Sequence, residues 1–255
     1  MKWIKYVLGV ALVISLWSCE EFEDLFGEDS TGLSESEVVQ GLKTALQVGA
    51  DTSVTVTSQL DGYYKDEVIK IFLPEEALVI QEYASYLGLT TEVENFIKSM
   101  NRAAEDAADK ASPIFTNAIT SLTISDGWDI LNGINPAETK KSTEFDSTAA
   151  TNFLISTTYQ SLYDAFQPDI QSSLDKDLIS NVSTNELWLA ITSAYNEAAF
   201  LLGEDQVNTD LDAYVTEKAL DGLFYKVGEE EKEIRRDPLK WAETTVGDIL
   251  NKVFG

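Results

Sequence analysis

The chain has 255 residues, with 44 acidic against 18 basic side chains and a formal net charge of −26 at pH 7; this balance repels phosphate backbones and anionic lipid headgroups, and so excludes nucleic-acid binding. It contains no histidine and a single cysteine, which removes Ser-His-Asp and Cys-His catalysis, histidine-ligated zinc, histidine proton shuttles and any intrachain disulfide. Any chemistry rests on carboxylates, Tyr, Lys, Ser or Thr; no cofactor and no metal is expected, and stability must come from a core that 44% apolar residues over this length can build.

Lys2 and Lys5 open the chain, and Tyr6 to Trp17 is apolar apart from Ser15, the layout of a secretory signal peptide. The run is shorter than the ~20 apolar residues that span a bilayer. It ends Leu16-Trp17-Ser18-Cys19, which resembles the lipobox, with leucine three residues before the cysteine and a small residue just before it, although Trp17 is bulky for that pattern. The sequence predicts a lipoprotein signal peptide over residues 1–18, cleavage ahead of Cys19 and lipidation of Cys19 by acyl chains such as palmitate; the alternative is an ordinary signal peptide with an incidental cysteine. Each buried methylene contributes ~0.8 kcal/mol and one chain binds only marginally, so several chains are what hold such a protein permanently. Removing the 18 residues ahead of Cys19, which include two lysines and no acid, leaves 237 residues and moves the net charge from −26 to −28. The expected location is the cell envelope, lipid-anchored at the outer membrane, on its periplasmic face or at the cell surface.

Residues 19–36 read as a flexible acidic tether, and residues 37–255 as one helical domain. Ser34 with Glu37 forms a capping-box pattern, and Val38, Leu42, Leu46, Gly49, Ser53, Val56 and Leu60 recur at helical steps. The run Ser53-Val54-Thr55-Val56-Thr57 alternates like a strand, but helix is the preferred reading. Asp61-Gly62 breaks that element. Leu73-Pro74-Glu75-Glu76 starts another helix with proline at its first position, running to Gly88. Thr91 with Glu94 gives a second capping box ahead of Phe96, Ile97, Met100, Ala103 and Ala107, and Ser112-Pro113 opens a helix through Leu122. Residues 133–148 are polar and read as a loop or insertion. Helical spacing returns with Phe153, Leu162, Phe166 and Ile170, interrupted near Pro168, and again with Leu187, Ile191, Tyr195 and Ala198. A last long helix starts near Thr209 or Asp210, carries Leu211, Tyr214, Val215, Ala219, Leu223, Phe224, Val227 and Ile234 on one side, and stops before Pro238. The predicted fold class is all-α, a single-domain multi-helix bundle.

Gly41-Leu42-Lys43-Thr44-Ala45-Leu46, Asp61-Gly62-Tyr63-Tyr64, Ile69-Lys70-Ile71-Phe72-Leu73-Pro74, Ser99-Met100-Asn101-Arg102-Ala103-Ala104 and Leu131-Asn132-Gly133 occur in that order. Leu162-Tyr163-Asp164-Ala165-Phe166, Asp212-Ala213-Tyr214-Val215-Thr216, Ala219-Leu220-Asp221-Gly222-Leu223-Phe224-Tyr225, Glu229-Glu230-Glu231 and Ile234-Arg235 follow. Together they resemble the bacterial family named domain of unknown function 4197, over residues 37–254, with Asp212 to Tyr225 the most specific stretch. The resemblance implies a secreted or lipid-anchored helical protein and carries no activity with it. The chain departs from the family between Ile134 and Thr148, where it is longer, and around Phe153-Leu154-Ile155, where relatives carry basic residues.

Seven residues form the candidate binding set: Asp61, Tyr63, Tyr64, Asn101, Arg102, Asp212 and Asp221. The two tyrosines after Asp61-Gly62 either combine packing with hydrogen bonding at a cleft mouth or, in the preferred reading, pack a turn onto its neighbours. Asn101 and Arg102 border an apolar helix face, where they either point into a cleft or make structural contacts, Arg102 pairing with Asp106. Asn208 to Asp212 resembles a calcium loop at first sight, but counted from Gln206 the twelfth place is Glu217 while Leu211 takes the sixth, where glycine is needed, and counted from Asn208 the two places hold Ala213 and Ala219, so helix capping by Thr209 or Asp210 explains it better. Glu229-Glu230-Glu231 with Glu233 reads as a solvated acidic helix end. The expected function is a non-enzymatic envelope module binding an unknown protein or small-molecule partner. The alternative is a carboxylate-dependent hydrolase or lyase acting on envelope glycans, chemistry that needs only Asp and Glu.

Overall fold

A computed structural model describes residues 34–237 apart from 79–80, 83–88, 141–143, 180 and 204. The signal-peptide, lipidation and most of the tether expectations therefore lie outside the described residues. The fold is all-α, with seven helices among the described residues: α1 (Glu35–Ser58), α2 (Thr90–Ala108), α3 (Ala111–Ser121), α4 (Ile124–Leu131), α5 (Ala149–Leu174), α6 (Thr184–Leu202) and α7 (Leu211–Arg236). The only described strands, β1 (Asp177–Ile179) and β2 (Val182–Ser183), pair as a short antiparallel hairpin between α5 and α6. No helix among the described residues is long and apolar enough to cross a membrane.

Local side-chain caps start α1, α4, α6 and α7. Ser34 and Glu37 form the reciprocal capping box, so α1 takes in Glu35 and Ser36, which the sequence reading places in the tether. The alternating stretch from Ser53 stays helical because its hydroxyls bond back one turn: Ser53 Oγ donates to the Gly49 carbonyl and Thr57 Oγ1 to that of Ser53, each at 2.8 Å. Two further capping boxes, Thr123 with Asp126 and Ser183 with Glu186, start α4 and α6. The sequence reading has no separate α4 helix.

Three expectations need correction. Thr91 and Glu94 do not cap α2, whose N-cap is Leu89 with no side-chain hydrogen bond; Glu94 is taken by Tyr64 and Lys70 instead. Pro168 does not interrupt its helix, for α5 runs through it to Leu174. The lost backbone bond is outweighed by Phe166 and Ile170, both fully buried on either side of the proline. Pro74 is the N-cap, not the first residue, of a single 3-10 turn over Glu75–Ala77, and most of the helix expected beyond it lies outside the described residues.

The core is contiguous and is centred on α7, which lies along α5 and α1, while α2 also packs along α5. From α7, Val215, Ala219, Leu220 and Leu223 are fully buried. Phe224 sets its ring edge-on to Phe115 at 5.8 Å and stacks on Tyr159 at 6.4 Å. Gly222 permits a close approach on the opposite side: a Cβ there would stand 2.7 Å from Tyr63 Cε1 and 3.1 Å from Ile69 Cβ. The loop after α1 is thereby pressed against α7.

Candidate functional site

Five of the seven candidate residues come together where that loop meets α2. Asp61 takes a left-handed conformation (φ 71°), which Asp tolerates better than most residues, and this turns the backbone N–H groups that follow toward α2. Glu105, only 4% exposed, collects them: its carboxylate accepts the N–H of Asp61 at 3.2 Å and those of Tyr63 and Tyr64 at 3.1 Å. Arg102 completes the set by donating to both Glu105 and Asp61. Four donors match the four lone-pair sites of a carboxylate.

The remaining side chains fasten the same loop. Asn101, fully buried, accepts the Ile71 N–H and donates to the Ile71 carbonyl, both at 2.8 Å. Tyr63 is also fully buried, and its hydroxyl donates to the Ala219 carbonyl of α7 at 2.7 Å. Burial and the nearby Glu105 push the Tyr63 phenol upward, so it stays protonated. Tyr64 donates to Glu94 and carries Lys70, Lys98 and Arg102 around its ring at 4.4, 5.8 and 5.6 Å. Glu94 is held below the usual carboxylate range by the Tyr64 hydroxyl and then by Lys70, against the effect of burial. Lys65 and Arg102 likewise lower Asp61. Arg102 therefore pairs with Asp61 and Glu105 and not with Asp106, which instead takes Ser173 and Lys176.

The other two candidates stand elsewhere on α7. Asp212 accepts from Asn185 Nδ2 at 2.9 Å, and the same amide also serves Asp175. Burial lifts Asp212 above the normal carboxylate range, and Asp210 and Asp175 add to this. Asp221 is exposed and pairs with Lys218 one turn away at 3.1 Å. The seven residues do not share one cleft. No group of three or more metal-ligating side chains occurs among the described residues.

A furrow that sequence reasoning did not single out runs beside Asp221. The segment 66–75 travels antiparallel to α7, tied by the Lys226 pair with Asp66 at one end and by the Tyr214 hydroxyl donating to the Phe72 carbonyl at 2.9 Å toward the other. Between segment and helix lie two adjoining hollows of about 400 and 440 Å³ that share Tyr214 and Lys218. The first is bordered by Val68, Phe72 and Tyr225, which are 63%, 53% and 42% exposed, together with Lys70 and Asp221. The second ends against Trp188 and carries Glu75, Asp210 and Glu217. Asp210 also caps α7, accepting the Ala213 N–H at 3.0 Å, as the sequence reading of that stretch expected.

The acidic run near the end of α7 is not a wholly solvated face. Glu231 is 6% exposed and accepts the backbone N–H groups of Ala150 and Thr151 at 3.1 and 2.8 Å, the Thr151 hydroxyl at 2.8 Å, and Arg235. It caps α5, which has no side-chain cap of its own. Arg235 in turn donates to the Ile130 carbonyl at 2.9 Å.

No curated protein and no solved structure matches the chain. One family does, over residues 32–255, and that span includes α1 to α7, the loop clamped by Glu105 and both walls of the furrow. The chain belongs to the family described as "Protein of unknown function (DUF4197)".

Proposed function

We propose that this is a lipid-anchored envelope protein, cut ahead of Cys19, whose helical domain is a non-enzymatic binding module that uses the furrow along α7. The anchor rests on the sequence alone: a short apolar run ended by Leu16-Trp17-Ser18-Cys19. The binding role is carried by one observation, the exposed apolar border of Val68, Phe72 and Tyr225 on a hollow that also holds charged groups. Ligand sites combine apolar walls with a few placed polar groups in this way. The polar atoms around Asp61, Arg102 and Glu105 are engaged with one another, and Asp212, the acid lifted by burial, does not line the furrow.

The test titrates the purified protein with separate peptide, saccharide and lipid extracts of the producing cell's envelope. Trp188, at the end of the furrow, supplies a fluorescence signal. A wild-type response lost in a Phe72→Ala/Tyr225→Ala variant of unchanged melting temperature is the expected result. Equal responses from both proteins, or none, overturn the furrow as the binding surface.

A further inference from the structure

We infer that the furrow receives a basic, partly apolar polypeptide segment, an inference that rests on the furrow being the binding surface. The two halves of the furrow differ in charge. In the half bordered by Phe72 and Tyr225, each charge has a partner: Lys70 faces Glu94 at 3.3 Å and Lys218 faces Asp221 at 3.1 Å. That half presents aromatic and aliphatic surface with little net charge. The other half shares Lys218, which is already paired with Asp221, and its Glu75, Asp210 and Glu217 have no lysine or arginine pair among the described residues. An occupant matched to both halves brings apolar side chains to the first and positive charge to the second.

Length separates a polypeptide from a small cation. Asp210 in the second hollow and Tyr225 in the first stand 15 residues apart along α7, about 22 Å at the rise of an α-helix. About seven extended residues cover that distance, so a segment of seven or eight residues engages both halves. The whole-molecule charge acts in the same direction. At −26 the protein attracts basic segments from a distance and repels polyanions, an effect that salt screens.

The experiment uses the full-length protein in a non-ionic detergent and an eight-residue synthetic peptide of two leucines and a phenylalanine followed by three lysines and two serines. It is compared with the analogue bearing glutamine for each lysine, and with spermine. The peptide is expected to bind, to weaken about fivefold or more between 50 and 300 mM salt, and to lose about tenfold in affinity with Phe72→Ala. Glu217→Gln is expected to weaken it several-fold, while Glu35→Gln, which removes the same charge from the first turn of α1 and outside both hollows, leaves it unchanged. Equal losses from Glu217→Gln and Glu35→Gln would reduce the binding to general attraction and overturn the proposal. So would equal affinity for the glutamine analogue, or full displacement of the peptide by spermine. If saccharide or lipid extracts give the furrow-dependent response and the peptide gives none, the furrow reading stands and the peptide inference falls. If no extract distinguishes wild type from the Phe72→Ala/Tyr225→Ala variant, both fall.

Discussion

Glu105→Ala is the most informative single change in the clamped loop. It removes the acceptor of three backbone N–H groups, one of them on the fully buried Tyr63, and takes one of two carboxylate partners from Arg102. A buried donor left without a partner costs about 1–3 kcal/mol, and removing one member of a buried ion pair typically costs about 3–5 kcal/mol. These terms overlap, because Asp61 still holds Arg102 and the outer N–H groups at Asp61 and Tyr64 regain water. A loss of about 3–5 kcal/mol is therefore expected. Urea unfolding at pH 7, with midpoint and slope both fitted, measures it. Glu105→Gln keeps one acceptor oxygen and loses the charge, so it should fall between the variant and wild type. A Glu105→Ala loss below about 1 kcal/mol would refute the account, since the loop would then be held by Tyr63 packing alone.

Phe224→Ala should cost about 3–5 kcal/mol, because the ring is 6% exposed between Phe115 and Tyr159; Asp221→Asn, exposed and, among the described residues, bonded only to Lys218, should stay within about 0.5 kcal/mol by the same unfolding assay. Burial alone would raise Asp66, but Lys226 and the N–H groups of Val68 and Ile69 outweigh it and hold it below the usual carboxylate range. Its stabilising contribution is thus fully present above about pH 4, where the unfolded group is also ionised, and is lost as pH falls through the lower folded value. Asp66→Asn should cost about 1–2 kcal/mol at neutral pH, and melting curves taken from pH 7 down to pH 3 should show the gap from wild type narrowing only at the acid end. Cys19→Ser should move the protein from the membrane to the soluble envelope or medium fraction, and retention through a detergent-free, high-salt wash would refute the lipid anchor.

Where helix ends depend on residues three apart, the sequence was readable. Ser34 with Glu37 shows it; Thr123 with Asp126 and Ser183 with Glu186 carry the same signal, which the sequence reading does not pick out. Thr91 with Glu94 has the pattern without the cap, because Tyr64 and Lys70, 30 and 24 residues upstream of Glu94, claim its carboxylate. Pro168 shows the same limit: the local cost of proline is legible, while the burial of Phe166 and Ile170 that outweighs it is tertiary. The cluster of Asp61, Tyr63, Tyr64, Asn101 and Arg102 was legible as a set of polar residues beside apolar faces. Glu105, which organises it, was not, since nothing in its neighbourhood marks an acid as buried. The furrow was hidden for a complementary reason. Val68, Phe72 and Tyr225 look like core residues in sequence, and their exposure depends on what fails to cover them.

The cap lent to α5 by Glu231 has a consequence for the order in which the chain matures. The first N–H groups of α5 receive their acceptor from a residue 80 positions later. During synthesis from the N-terminus, the turn at residues 149–152 lacks that acceptor until α7 has formed and docked. A chain ending after Gly228 would keep most of the buried residues of α7 and still leave that upstream turn frayed, open to a protease at residues 148–152. Deuterium uptake there would report whether the last turns of α7 are in place.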